Sequence, residues 1–76
     1  MRDTIEMIIK ALVSDNESVE VREEERERAI VLEVRVAQSD MGKLIGRQGR
    51  TIKALRSLIG AAGHKQGRRY ILDVVE

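Results

Sequence analysis

The sequence predicts an α+β fold in which helices cover one face of a three-stranded mixed sheet. Three observations lead there. Ile30, Leu32, Val34 and Val36 alternate with polar residues, as in a half-buried strand. Ile5, Ile8, Ile9, Leu12 and Val13 recur at helical spacing, and so do Ile52, Leu55, Ile59 and Ala62. The order α-β-β-α-α-β lets the first two strands form a hairpin and the last two lie parallel through a crossover.

The first helix is expected over residues 4–13, opened by a capping box from Asp3 to Glu6. Ser14-Asp15-Asn16 should end it. Val19 and Val21 suggest a short strand, and Glu23 to Arg28 a charged turn. Ala29 to Val36 is the strongest strand, with Glu33 and Arg35 on its polar side. Ser39 or Asp40 can cap a short helix running to Ile45. A longer helix starts near Arg50 and is expected to break early, with Gly60 inside it and Gly63 as its C-terminal cap. His64 to Gly67 read as a loop, and Arg69 to Val75 as a last strand with Tyr70, Leu72 and Val74 inward.

Length and composition bound the answer. The 76 residues suffice for one domain, 1–76, with a modest core. Hydrophobic residues at 42% and charged residues at 36% indicate a globular chain rather than a disordered one. No run approaches the ~20 apolar residues of a membrane span. With no export signal, a cytoplasmic location is expected. There is no cysteine, so neither a disulfide nor a thiolate metal site supplements the core, and no metal or cofactor is expected.

The net charge of +1 conceals a strong asymmetry. Residues 1–40 carry six Lys/Arg against eleven Asp/Glu, whereas residues 41–72 carry eight Lys/Arg and no acid. An acid-free basic block of that length is the footprint of a polyanion site.

Within it, Gly46 and Gly49 bracket two residues between helical patterns. A tight helix-to-helix turn needs backbone angles that glycine reaches without steric cost, and a missing side chain lets a ligand backbone approach. The next helix begins at about Arg50, so free amides and a positive dipole end face the turn. That is a phosphate seat built of backbone. Arg47 adds a cation and Gln48 a polar arm, with Lys43, Arg50, Lys53 and Arg56 around them.

The stretch Gly42-Lys43-Leu44-Ile45-Gly46-Arg47-Gln48-Gly49-Arg50-Thr51-Ile52 resembles the core signature of the KH domain, whose G-x-x-G loop clamps about four nucleotides. The element order is similar to the bacterial type II KH fold, and the extent of the whole chain resembles the KhpA family of stand-alone KH proteins. The resemblance implies single-stranded RNA gripped by Gly46, Arg47, Gln48 and Gly49. The nucleotides would lie in a groove between this loop and the sheet edge, floored by Ile45, Ile52 and part of the second strand. It also implies an RNA chaperone or post-transcriptional regulator that self-associates or pairs with a larger Jag-type RNA-binding protein.

Other functions fit poorly. An ATP-binding loop needs a glycine where Leu44 stands and a lysine where Arg50 stands, and it follows a strand rather than a helix. With one histidine, His64, no cysteine and no paired acids in the basic half, catalysis has no candidates, so no enzyme is expected. Tyr70 is the only aromatic residue, which disfavours readers that stack bases on several rings. The alternative from another class is a dimerising protein-interaction adaptor with marginal RNA contact. Its surface would be a second stripe on the long helix, Ala54, Leu58 and Ala61, turned roughly 90° from the core stripe.

Overall fold

The computed structural model describes residues 1–75. The elements are α1 (Arg2–Leu12), β1 (Glu20–Arg26), β2 (Ala29–Arg35), α2 (Met41–Ile45), α3 (Arg50–Lys65) and β3 (Tyr70–Val74). Single 3-10 turns occupy Asn16–Ser18, Gln38–Asp40 and Arg47–Gly49. The sheet has the order β1-β2-β3, with β1 antiparallel to β2 and β2 parallel to β3. The expected α+β architecture and mixed three-stranded sheet are therefore present.

The parallel pair fixes the shape. β3 starts beside the start of β2, with Ile30 opposite Tyr70 and Leu32 opposite Leu72. The chain must return from the far end of β2 before β3 can begin, and α3 makes that return. α1 packs on β1 and α3 on β3. One core results, from Ile5, Ile9 and Val13 of the first segment, Val21, Ile30, Leu32 and Val34 of the sheet, Leu44 of α2, Ile52, Leu55 and Ile59 of α3, and Leu72. Burying a side chain such as Leu44 contributes about 2 kcal/mol, which holds the five-residue α2 in place although it is too short to persist alone.

Several expectations are corrected. α1 begins at Arg2 without a side-chain cap, and Asp3 lies inside its first turn. Arg2 takes over the anchoring role: its Nε donates to the Val21 carbonyl at 2.7 Å and its guanidinium pairs with Glu6 at 2.6 Å. Glu6 also pairs with Lys10 at 3.0 Å, so it is not free to cap. Its carboxyl is held below its ordinary value by the Lys10 bond first.

The segment expected as a charged turn is mostly strand. β1 continues to Arg26, and every residue after Val21 is exposed. Pairing with β2 through the full register overrides the low strand propensity of Glu23-Glu24-Glu25. Val31 is buried on the outer side of the sheet, because β2 is central and lies between Glu24 of β1 and Ile71 of β3 in register.

α3 does not break at its glycines. It runs through Gly60 and Gly63 to Lys65 and ends in a Schellman motif on Gly67, at φ +69. The Gly67 amide donates to His64 O at 3.1 Å and the Arg68 amide to Gly63 O at 2.8 Å. Gly63 is instead a packing glycine. A Cβ there would lie 2.6 Å from Tyr70 Cδ2 and 2.7 Å from Arg68 O.

Candidate nucleic-acid interface

The turn between α2 and α3 is built from three left-handed or unusual residues in a row of four. Gly46 has φ 78 and ψ 170, Gln48 φ 58 and ψ 25, and Gly49 φ 73 and ψ 16. The Gly46 amide closes α2 on Gly42 O at 2.8 Å, the Gly49 amide bonds Gly46 O at 3.1 Å, and the Arg50 amide bonds Arg47 O. The amides of Arg47 and Gln48 enter none of these bonds.

The two glycines are required for different reasons. At Gly46 a Cβ would collide with Thr51, 2.7 Å from its Cβ and 2.8 Å from its amide nitrogen. At Gly49 a Cβ would meet only Lys53 Cε at 3.8 Å and Ile52 Cγ2 at 3.9 Å, so the left-handed φ, and not space, favours glycine. Thr51 is thus the residue that sequence reasoning missed. Its side chain fills the place left empty at Gly46, and no spacing rule points to it.

The electrostatics favour an anion. The N-terminus of α3 has no side-chain cap and no acidic residue in its first turn, so its positive end is not neutralised locally. Arg47, Arg50, Lys53 and Arg56 are exposed, and none joins an ion pair among the described residues. Gln48 is exposed at the apex.

Lys43 is committed elsewhere. Its Nζ bonds Ser14 Oγ and lies 3.5 Å from Asp40 Oδ1. Of the two isoleucines assigned to the groove floor, Ile45 offers apolar surface beside the turn at 39% exposure, whereas Ile52 is a core residue at 7%. β2 is flanked on both sides by other strands, so a second-strand contribution to the floor comes from side chains and not from a free backbone edge.

Asp40 precedes α2 but does not cap it. It is buried, and its carboxylate accepts from the Asp15 amide at 3.0 Å and the Ser14 amide at 3.2 Å. It thereby ties the segment after α1 to the helix leading into the turn. Those two amide bonds, with Lys43 assisting, hold its carboxyl below the ordinary aspartate value against the opposing effect of burial. A lowered folded-state value means stability that is present above the ordinary carboxylate range and lost as pH falls through the lowered value. Melting curves of wild type and Asp40→Asn should therefore differ most at neutral pH and converge in acid. A gap independent of pH would show that this carboxylate does not make the linkage.

Ala54, Leu58 and Ala61 all lie exposed on α3, Leu58 at 60%. Leu58 borders an open groove between α1 and α3 with Thr4, Ile8, Ala62 and Gln66. Among the described residues, no helix is long and apolar enough to cross a membrane, and no cluster of side chains suits a metal ion.

The family model "KhpA/KhpB, KH domain" matches residues 2–74. The chain is similar over its whole length to a curated protein named "RNA-binding protein KhpA" from Aquifex aeolicus, at 41% identity and 96% of that protein's length. A protein of the same name from Halalkalibacterium halodurans is 45% identical over the full length of both chains. Another, from Borreliella burgdorferi, is 43% identical over 97% of this chain and 90% of its own. No solved structure matches significantly.

Proposed function

The chain belongs to the KhpA/KhpB KH-domain family, which is not a family of enzymes, and from that premise we propose that it binds single-stranded RNA through the Gly46–Gly49 turn. One observation carries the reading. An uncapped helix N-terminus, two unengaged amides and a ring of unpaired cations converge on a turn whose Gly49 leaves room for a ligand backbone. Phosphates sit against the backbone there, while Arg47, Arg50, Lys53 and Arg56 supply attraction that does not depend on sequence. Ile45 gives a base an apolar surface to rest on.

Such a site takes about four nucleotides with weak base preference. A domain of this kind suits an RNA chaperone or post-transcriptional regulator in the cytoplasm. Fluorescence titration across a salt series tests the reading. The logarithm of affinity should fall with the logarithm of salt by about 0.7 per phosphate neutralised on a single strand. Arg47→Ala should reduce that slope by somewhat less than one unit. Equal or tighter binding to duplex RNA at the same salt would contradict a single-strand groove.

A second reading, compatible with the first, concerns assembly. Leu58 is large, apolar and exposed between two small residues, so another helix can approach closely. The domain is proposed to form a homodimer on Ala54, Leu58 and Ala61, or a heterodimer with a larger Jag-type KH protein through the same stripe. Leu58→Glu is expected to give a folded monomer in sedimentation, since Leu58 lies outside the core cluster. Wild type that is still monomeric at roughly 100 μM would exclude the homodimer.

A further inference from the structure

We infer that the domain carries a second RNA-phosphate contact at the pole opposite the Gly46–Gly49 turn, made by Arg28, Arg68 and Arg69. It sets a minimum RNA length for full affinity. The inference rests on the RNA-binding reading above and extends it.

The topology separates the two poles. α3 starts at the turn and runs for 16 residues, roughly 24 Å of a molecule whose longest dimension is 34 Å. The Schellman motif on Gly67 then redirects the chain and brings Arg68 and Arg69 beside the β1–β2 hairpin, where the Ile30 amide donates to Arg69 O at 2.8 Å. A shallow hollow lies between the two segments, lined by Arg26, Arg28, Arg68 and Arg69 together with Glu25 and Glu27. Arg26 is held by Glu24 at 3.3 Å. Arg28, Arg68 and Arg69 are exposed and join no ion pair among the described residues.

The ligand chemistry follows from the lining. None of the exposed large apolar residues borders the hollow, so an apolar partner segment has nothing to bury. Guanidinium groups recognise phosphate with two parallel hydrogen bonds. RNA is favoured over an acidic protein because exposed Arg50, Lys53 and Arg56 extend positive charge from the turn along α3, a helix without one acid. At the ~3.4 Å per phosphate of a stacked strand, the helix length corresponds to about seven nucleotides beyond the clamp. An RNA of about four nucleotides reaches the turn alone, and one of about twelve reaches both poles.

Fluorescence anisotropy with oligouridine of these two lengths tests it on the full chain. Arg68→Ala with Arg69→Ala should weaken the longer RNA about tenfold, flatten its salt slope by about 1.4, and leave the shorter RNA unchanged. Arg28→Ala, on the other side of the hollow, should show the same length dependence with a smaller loss. Equal losses on both lengths, or no loss on the longer RNA, would overturn the second contact while the clamp stands. Wild type that binds neither RNA would overturn the underlying reading and this inference with it. Polyglutamate binding that the double variant loses while its RNA affinity is unchanged would assign the hollow to protein and overturn the inference.

Discussion

Arg47→Asp with Gln48→Asp is expected to abolish RNA binding, weakening it by at least about 100-fold or ~2.7 kcal/mol, while the thermal midpoint stays within a few degrees of wild type. Both side chains are exposed, so neither supports the core. Gln48 sits at φ 58, a conformation that aspartate tolerates better than most residues. The two carboxylates would repel phosphate at the amides that seat it. Gly46→Asp with Gly49→Asp, which the glycine spacing alone suggests, is a poorer test. At Gly46 any side chain must displace Thr51, the second residue of α3. Lost binding in that variant would mix a blocked site with a distorted helix start. Circular dichroism alongside titration separates the cases: a folded Arg47→Asp/Gln48→Asp variant with unchanged affinity would remove the turn from the binding site.

Gly63→Ala is expected to lower stability by about 2 kcal/mol, or roughly 8–16 °C in the thermal midpoint of a domain this small. The added methyl would press into the Tyr70 ring and the Arg68 carbonyl. The Arg68 amide is bonded to Gly63 O at 2.8 Å, which leaves the residue little freedom to yield. Gly60→Ala is the matched control. It lies exposed in the interior of the same helix with nothing within 4 Å of the added atom, so it should stabilise by about 0.5–1 kcal/mol. Differential scanning calorimetry on the pair decides the point. Equal shifts would mean that the contact at Gly63 is not tight in solution.

These two glycines show what a sequence can and cannot convey. Three residues apart on one helix, both read as helix breakers, yet the difference between them is set by Tyr70 of the next strand and Arg68 of the turn before it. The strands and helices themselves were legible where apolar periodicity is strong, as in Ile30-Leu32-Val34 and Ile52-Leu55-Ile59. Apolar alternation marks only the start of β1, because its charged residues follow strand geometry only through pairing with β2. Asp40 has the position of a cap, since it precedes a helix, but its partners are amides 25 and 26 positions earlier. The turn was legible because its constraint is local: positive φ at Gly46 and Gly49 writes itself directly into residue type. The commitment of Lys43 to Ser14 and Asp40 was not, since it requires the tertiary fold.

The charged outer strand β1 has a consequence for life at high protein concentration. A strand at the border of a sheet offers unpaired amides and carbonyls to any passing chain, and a flat apolar one seeds fibrils. Of the two border strands, β1 reads Glu20-Val21-Arg22-Glu23-Glu24-Glu25-Arg26, with every side chain but Val21 exposed to water. Stacked parallel and in register, as in a fibril, two such strands would place like charges in opposition along most of their length. The same residues that give the strand a weak intrinsic propensity thus guard this border of the sheet against runaway extension.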